Sequence, residues 1–393
     1  MNRWIVSLLT VGAFLAVTAE LLLVGVVDRI ADDLHINIAS AGQLVTSYAL
    51  AFAIGTPVVV AVTARLDRKK VMMTAFFCFI AANLIAYWSP NYAVLMVSRA
   101  LLGVSGGVYA VVAMGAISKL VPAEKLGRAI GTFTTGLSSS LVFGVPLGVA
   151  LSGWLGWREA FGILAVLSLP ILIGIVRAVP AVPGEQAVPW KEQLSVLRNG
   201  KIASGFGITL LWGTGFSTVY TFITPFLRET VNMDTAMISL TMFVLGVFSI
   251  AGSRLGGYGA DRFGVETTIY ASLLVHALAL LLLPASSAAI LFVVTAAAVW
   301  FTAAWITSPA IQTYFIRLVP RNPDLALSFN TSVMQIGFAL GAGIGGGVAD
   351  ATGIVAHTPW AGGCIILLAV AAAWFSFSKK GKTDKPAKQT RAS

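Results

Sequence analysis

Charge is the scarcest ingredient of this 393-residue sequence: Asp, Glu, Lys and Arg make up 11% of it, against about 25% in a soluble domain. That shortage excludes an ordinary water-soluble fold. With 57% hydrophobic residues and a mean hydropathy of +0.87, it marks an integral membrane protein. Cysteine is nearly absent. Cys78 and Cys364 both fall inside apolar runs, which leaves no case for a disulfide framework or a metal site and makes them small packing residues. The three histidines, His35, His276 and His357, are scattered. There is no H-E-x-x-H, no nucleophile elbow and no Walker A lysine, so no metal, no cofactor and no enzyme activity is expected. A cleavable signal peptide is also missing, because the first apolar run is too long for an h-region and lacks a small-residue cleavage site at its end.

Long apolar runs, by contrast, abound. They predict spans near 4 to 27, 40 to 63, 70 to 89, 93 to 118, 127 to 152 and 157 to 178, and a second set near 200 to 227, 236 to 260, 265 to 284, 287 to 317, 325 to 349 and 357 to 378. Runs of about 20 unbroken residues fit helices, not the alternating segments of about 10 residues of a β-barrel. The expected fold is an all-α integral membrane protein with twelve transmembrane helices in two pseudo-symmetric six-helix bundles, residues 1–179 and 200–378. Residues 180–199, rich in proline and charge with an amphipathic stretch from Trp190 to Arg198, read as a cytoplasmic linker and surface helix. Residues 379–393 read as a basic tail held near anionic headgroups.

With Met1 in the cytoplasm, only Arg29, Arg158 and Arg228 among the basic residues fall outside. The positive-inside rule therefore predicts that both termini are cytoplasmic. The net charge of +10 is spread over many inner loops and one tail rather than one face, which argues against nucleic acid. The bilayer is the expected partner.

Glu20 is the one ionisable residue in the first span. A charge at that depth costs several kcal/mol unless it faces a wet cavity, pairs or carries a proton, so it is a candidate proton carrier; the plain alternative is a helix-packing acid. Arg99, some six residues into the fourth span, cannot deprotonate and can only organise acceptors or stabilise an anion. Its plain alternative is snorkelling to the external headgroups. Gly341-Ala-Gly343-Ile-Gly345-Gly346 is formally G-x-G-x-x-G, but no strand precedes it, and Gly144, Pro146, Gly148, Gly337, Gly341 and Gly345 read as sites of close helix contact and bending.

The halves overlay at an offset of 197 residues. Phe143-Gly-Val-Pro-Leu-Gly148 falls on Leu340-Gly-Ala-Gly-Ile-Gly345, and Ala64-Arg65-Leu-Asp-Arg68 on Asp261-Arg262-Phe-Gly-Val265. Parallel six-helix repeats are one way in which secondary transporters are built. Gly257-Tyr-Gly-Ala-Asp-Arg-Phe-Gly264, Leu95-Met-Val-Ser-Arg99-Ala-Leu-Leu-Gly103, Gly136 to Gly148 and Thr18-Ala-Glu20-Leu-Leu-Leu-Val-Gly25 carry the comparison further. On these motifs the chain resembles the major facilitator superfamily, in its twelve-span drug:proton antiporter group, and is similar to bacterial purine base and nucleoside efflux pumps. Three departures stand out: Ala64 replaces an acid, an extra residue separates Gly144 from Pro146, and Asp28 stands where proline is common.

The resemblance implies a monomer in the bacterial inner membrane that exports a small molecule against protons, with the proton gradient as its energy source and no cofactor. It implies proton relay by Glu20 and Arg99, and an inner gating loop at Arg65, Asp261 and Arg262. Polar residues that hydrocarbon would reject (Gln43, Ser47, Asn83, Ser105, Ser138, Ser139, Gln312, Asn330 and Gln335) and aromatics at helical spacing (Trp212, Phe216 and Tyr220, then Trp300 and Trp305) are the candidate cavity lining. Amides with flat aromatic faces suit a planar heterocycle such as a purine; each of these residues also fits helix contact or lipid. Multidrug efflux of the chloramphenicol type and sugar efflux stay open beside purine export, and a non-transporting membrane receptor is the reading from another class.

Overall fold

The computed structural model describes residues 3–184, 200–285, 289–319 and 323–378. Among these the chain is helical with no strand, and twelve helices are long and apolar enough to cross a membrane. In order, spans 1 to 6 are Trp4–Gly25, Ile38–Val62, Arg68–Tyr87, Tyr92–Leu120, Glu124–Trp154 and Trp157–Ala178. Spans 7 to 12 are Gly200–Tyr220, Thr235–Arg262, Val265–Leu282, Ile290–Leu318, Leu325–Thr352 and Val355–Ser378. The predicted amphipathic stretch from Trp190 to Arg198 and the basic tail lie outside the described residues.

Short polar residues set the helix starts. Asn37, Asp67, Asn91 and Asp234 each accept a backbone N–H from the first turn of spans 2, 3, 4 and 8, at 2.7–3.0 Å. Such caps satisfy donors that the helix itself leaves orphaned. Gly156 and Gly264, at φ +118° and +89°, form the sharp entries into spans 6 and 9, a backbone region open chiefly to glycine.

Two expected spans end early. Span 1 stops at Leu22, passes through a tight 3-10 turn at Leu23–Gly25 and restarts as the short helix Val27–Asp33. Span 7 stops at Tyr220 and restarts as Ile223–Val231, which ends on Asn232 at φ +53°. The apolar residues of this short helix made it read as a continuation of span 7. Span 2 carries a π-helical segment, Ala51–Gly55, just before Pro57. A missing proline N–H and a glycine together explain the locally widened turn.

In each half the first and fifth helices pack along a ridge of small residues. Across span 5, Gly136, Gly144 and Gly148 lie against Thr10, Thr18 and Leu22 of span 1, and Ser140 donates to the Phe14 carbonyl at 2.9 Å. Across span 11, Gly337, Gly341 and Gly345 lie against the carbonyls of Leu210, Thr214 and Thr218 of span 7. In a membrane, where apolar side chains gain nothing by leaving lipid, this close backbone approach is a main source of helix association. The halves meet where span 2 lies on span 11 and span 5 on span 8.

Gly341→Leu forces a side chain into the Thr214 carbonyl and costs about 1–3 kcal/mol, whereas Gly347→Ala, with open space around it, is neutral or stabilising by up to about 1 kcal/mol. Thermal unfolding of the two variants in detergent, side by side with the parent, measures this; equal melting temperatures would contradict the ridge packing.

Candidate functional site

Arg99 sits deep in span 4 with no exposed surface. The expected alternative of snorkelling to headgroups does not hold. Its Nη1 donates to the Ala19 carbonyl at 2.8 Å, Nη2 to the Glu20 carbonyl at 3.4 Å and Nε to the Leu44 carbonyl at 3.5 Å. Its guanidinium also lies 4.8 Å from the Tyr48 ring centre. Ala19 and Glu20 are in the last turn of the span 1 helix, whose carbonyls carry the negative end of the helix dipole.

The Glu20 carboxylate reaches the other half of the molecule. Gln335 Nε2 of span 11 donates to its Oε1 at 3.1 Å, and the Tyr48 hydroxyl is placed to donate to it as well. Glu20 is half-buried. Among the described residues no side-chain ion pair joins Glu20 to Arg99; the arginine holds the backbone of Glu20 and leaves the carboxylate free for groups on spans 2 and 11.

On the span 7 side an aromatic cluster centres on Phe216. Trp212 and Tyr220 flank it at 6.1 and 5.0 Å between ring centres, and Trp300, Trp305 and Phe338 surround it at 5.5, 6.4 and 6.0 Å. Tyr220 lies within electrostatic reach of Glu20, and Phe338 is one turn from Gln335, so cluster and carboxylate are neighbours. The indole N–H groups of Trp212 and Trp305 and the Gln335 carbonyl oxygen have no hydrogen-bond partner. Behind the cluster, Trp300 donates to Nε2 of the fully buried His276 at 2.9 Å.

Other expected lining residues are occupied elsewhere. Ser47 donates to the Met96 carbonyl of span 4 at 3.1 Å, and Ser105 and Ser139 to carbonyls of their own helices at 2.6 and 2.7 Å. Asn83 likewise donates to the Phe79 carbonyl of its own helix. Asn330 accepts from Thr209 at 2.6 Å and joins spans 7 and 11. Gln43 is half-buried opposite Gly343, Ser138 is half-buried on span 5, and Gln312 is exposed. Arg65, Asp261 and Arg262 are exposed at the end of the molecule where span 1 begins and span 12 finishes. Pro146 lies inside the span 5 helix, and its carbonyl accepts from Ser239 of span 8.

Sequence reading missed Tyr48, Phe338 and the closure of one end of the cavity. At the end away from the termini, Arg228 Nε lies 2.7 Å from Asp28 Oδ2. Arg29 donates to the Ser152 carbonyl and to Thr235 Oγ1, Thr224 to the Val24 carbonyl, and Asn37 to Asp350. Opposite charges at matching ends of spans 1 and 7 were the only sequence signal for this latch. Among the described residues, the hydrogen bonds and ion pairs between the halves all fall between the Glu20–Gln335 level and this end. Toward the termini, Ile130, Gly131, Thr134 and Thr135 of span 5 are exposed. Polar contacts between the halves thus gather at one end, and exposed span 5 residues lie toward the other.

A model of the Major Facilitator Superfamily matches residues 9–323 and 205–393. The chain is 34% identical over 381 residues to the uncharacterized MFS-type transporter YbcL of Bacillus subtilis, covering 97% of each, and 29% identical over 374 residues to YtbD of the same organism, covering 92% of each. Among solved structures, a bacterial homolog of the human lysosomal transporter Spinster, inward-facing and occupied, superposes with a TM-score of 0.82 at 16% identity, covering 95% of this chain and 96% of that one. The nucleoside transporter NupG superposes with a TM-score of 0.78 at 14% identity, covering 95% of this chain and all of that one.

Removing the ion pair at the closed end with Asp28→Asn weakens closure by about 1 kcal/mol, roughly a fivefold shift in population toward separation of the two halves there. Electron–electron distance measurement between labels at His35→Cys and Ile354→Cys, with Cys78 and Cys364 replaced by Ala, reads it as a longer-distance component; an unchanged distribution would mean the pair does not hold the latch. A pH effect follows at the same place. Burial, then Asp28, then Asp32 raise the Glu229 carboxyl above its ordinary 4.5. Asp28 and Asp32 belong to the other half, so separation relieves this and Glu229 binds its proton more tightly when the end is closed. Lowering the pH at this face toward 4.5 therefore favours closure, and raising it beyond the shifted value removes that contribution. The same label pair, followed through a pH titration, shows a pH-dependent short-distance component that Glu229→Gln abolishes.

Proposed function

The chain belongs to the Major Facilitator Superfamily, and from that footing we propose that it is a proton-coupled exporter of small organic solutes that works by alternating access. The observation that carries this reading is the half-buried Glu20 carboxylate, held by Gln335 of the opposite half at the level where the cavity closes. The two bundles, residues 1–179 and 200–378, are the rocking bodies. Both termini lie in the cytoplasm of a bacterium, the open end faces inward, and the transporter works as a monomer in the inner membrane.

In the inward-open state Glu20 releases its proton to the cytoplasm and, as a carboxylate, accepts from Gln335 and Tyr48. A solute enters from the open end and settles against the Trp212, Phe216, Tyr220 and Trp305 wall. The bundles rock, the Asp28–Arg228 latch parts, and the inner ends close through Asp261, Arg262 and Arg65. A proton from outside then takes Glu20, loosens its hold on Gln335 and on the solute, and the protonated carrier returns. Arg99 positions the end of span 1 throughout. Its fork reaches carbonyls of two spans, a geometry that a lysine ammonium does not reproduce.

The best-supported cargo is a purine base or nucleoside. Flat rings stack on the aromatic wall, while ring nitrogens and carbonyls meet carboxamide and carboxylate groups by edge hydrogen bonds. A nucleoside transporter and a D-xylose–proton symporter share the fold, so sugar or multidrug efflux is the second reading.

Efflux from cells preloaded with radiolabelled hypoxanthine, adenine or inosine tests both layers. Wild-type cells lose label faster than cells lacking the protein. Glu20→Gln and a protonophore each abolish the difference, and Arg99→Lys strongly reduces it. Full activity of Glu20→Gln would remove Glu20 from the coupling. Drug resistance or sugar efflux without purine flux would overturn the purine assignment alone.

A further inference from the structure

The lateral face of spans 8, 9 and 10 carries a groove of about 790 Å³. Its lining comes from these three helices and Phe263 just past span 8, and includes none of the residues around Glu20. Phe248, Leu255, Tyr258, Phe263, Ala271 and Val299 are among its walls. Most hydroxyls within it bond to backbone: Thr268 donates to the Gly264 carbonyl at 2.8 Å, Ser272 to Ile269 at 3.0 Å, Thr302 to Ala298 at 2.8 Å and Thr295 to Leu291 at 2.7 Å, so the groove is mainly hydrocarbon.

One end of this trough is different. Arg262, exposed at the end of span 8, lies 5.9 Å from the ring centres of both Tyr258 and Phe263, two lining residues that meet edge to face at 6.4 Å. Among the described residues Arg262 has no carboxylate within ion-pair distance. A guanidinium framed by aromatic rings at the end of a membrane helix matches a phosphate oxygen in charge and in its forked donor geometry. From Phe263 back to Val244 the span 8 wall is about 28 Å long at 1.5 Å per residue, longer than the roughly 15 Å that one leaflet's hydrocarbon occupies.

We propose that this groove is a binding site for an anionic phospholipid of the leaflet on the side of the termini, with one acyl chain laid along spans 8 to 10 and the phosphate at Arg262. Charge complementarity decides the lipid class, since a zwitterionic headgroup brings its own cation to the same arginine and gains less. Site occupancy also fixes the end of span 8 and the loop into span 9.

Native mass spectrometry of the full-length protein, incubated in detergent with phosphatidylglycerol or phosphatidylcholine, tests this. The parent protein retains phosphatidylglycerol with about a fivefold preference. Arg262→Gln removes the preference and Arg262→Lys keeps most of it. Ala271→Trp, at an exposed lining position, fills the groove and loses the retained lipid while the protein still runs as a monodisperse species. Equal retention of both lipids by the parent, or a preference that survives both Arg262→Gln and Ala271→Trp, would overturn the proposal.

Discussion

A guanidinium with no exposed surface inside a membrane protein must be given acceptors, and in this chain that requirement organises everything around the site. The effective penalty for desolvating such an ion is several kcal/mol. Hydrogen bonds to a charged group return about 1.5–3 kcal/mol each. Two of the acceptors Arg99 finds, the carbonyls of Ala19 and Glu20, lie in the last turn of a helix, at the negative end of its dipole. Span 1 therefore stops at Leu22 within reach of span 4, and the chain turns through Leu23–Gly25 before its short outer helix. Because the backbone of Glu20 is taken by Arg99, its carboxylate is left to face spans 2 and 11.

The second half repeats the scaffold without repeating the chemistry. A step of 197 carries Gly144 of span 5 to Gly341 of span 11, while a step of 196 carries Thr18 of span 1 to Thr214 of span 7, and each pair makes the same ridge contact. The one-residue slip places Phe216 where Glu20 stands in the first half. One repeat thus presents a carboxylate and the other the centre of an aromatic cluster at matching depth. Span 7 also breaks at the position that corresponds to the break in span 1, and the two short helices that follow meet across the closed end, where Asp28 finds Arg228.

The spans were legible because hydropathy needs no partner: a run of about 20 apolar residues has few alternatives. The glycine spacing was legible for a related reason, since small residues at every fourth position mark one helix face. Pairing was not. Thr224 and Val24 are 200 residues apart, and nothing local in either sequence announces the other. Ser47 and Ser105 looked like cavity polar groups but satisfy themselves on nearby backbone, the usual fate of a hydroxyl in hydrocarbon. Tyr48, one residue from Ser47, carries the contact to Glu20 and Arg99 instead, because a helix turns about 100° per residue.

The two tiers of contact between the halves have different physical characters, and that difference is what coupling needs. The outer tier combines exposed and partly buried pairs, Asn37–Asp350, Arg29–Thr235 and Asp28–Arg228, with the buried Thr224–Val24 bond, each worth about 1 kcal/mol, so it can part under thermal motion. The inner tier is the Gln335–Glu20 bond, with Thr46 donating to the Ala339 carbonyl one turn further along span 11. With a charged acceptor such a bond is worth about 1.5–3 kcal/mol, and with a neutral one about 1 kcal/mol. Under the proposed mechanism, a proton on Glu20 therefore changes the energy of one arrangement of the halves by about 0.5–2 kcal/mol relative to any arrangement in which Gln335 is elsewhere. Coupling free energies between sites typically lie at about 1–3 kcal/mol. A link of this size biases a nearly balanced equilibrium without locking it, whereas a direct Glu20–Arg99 ion pair would hold its charge within one half and leave the relative position of the bundles unaffected.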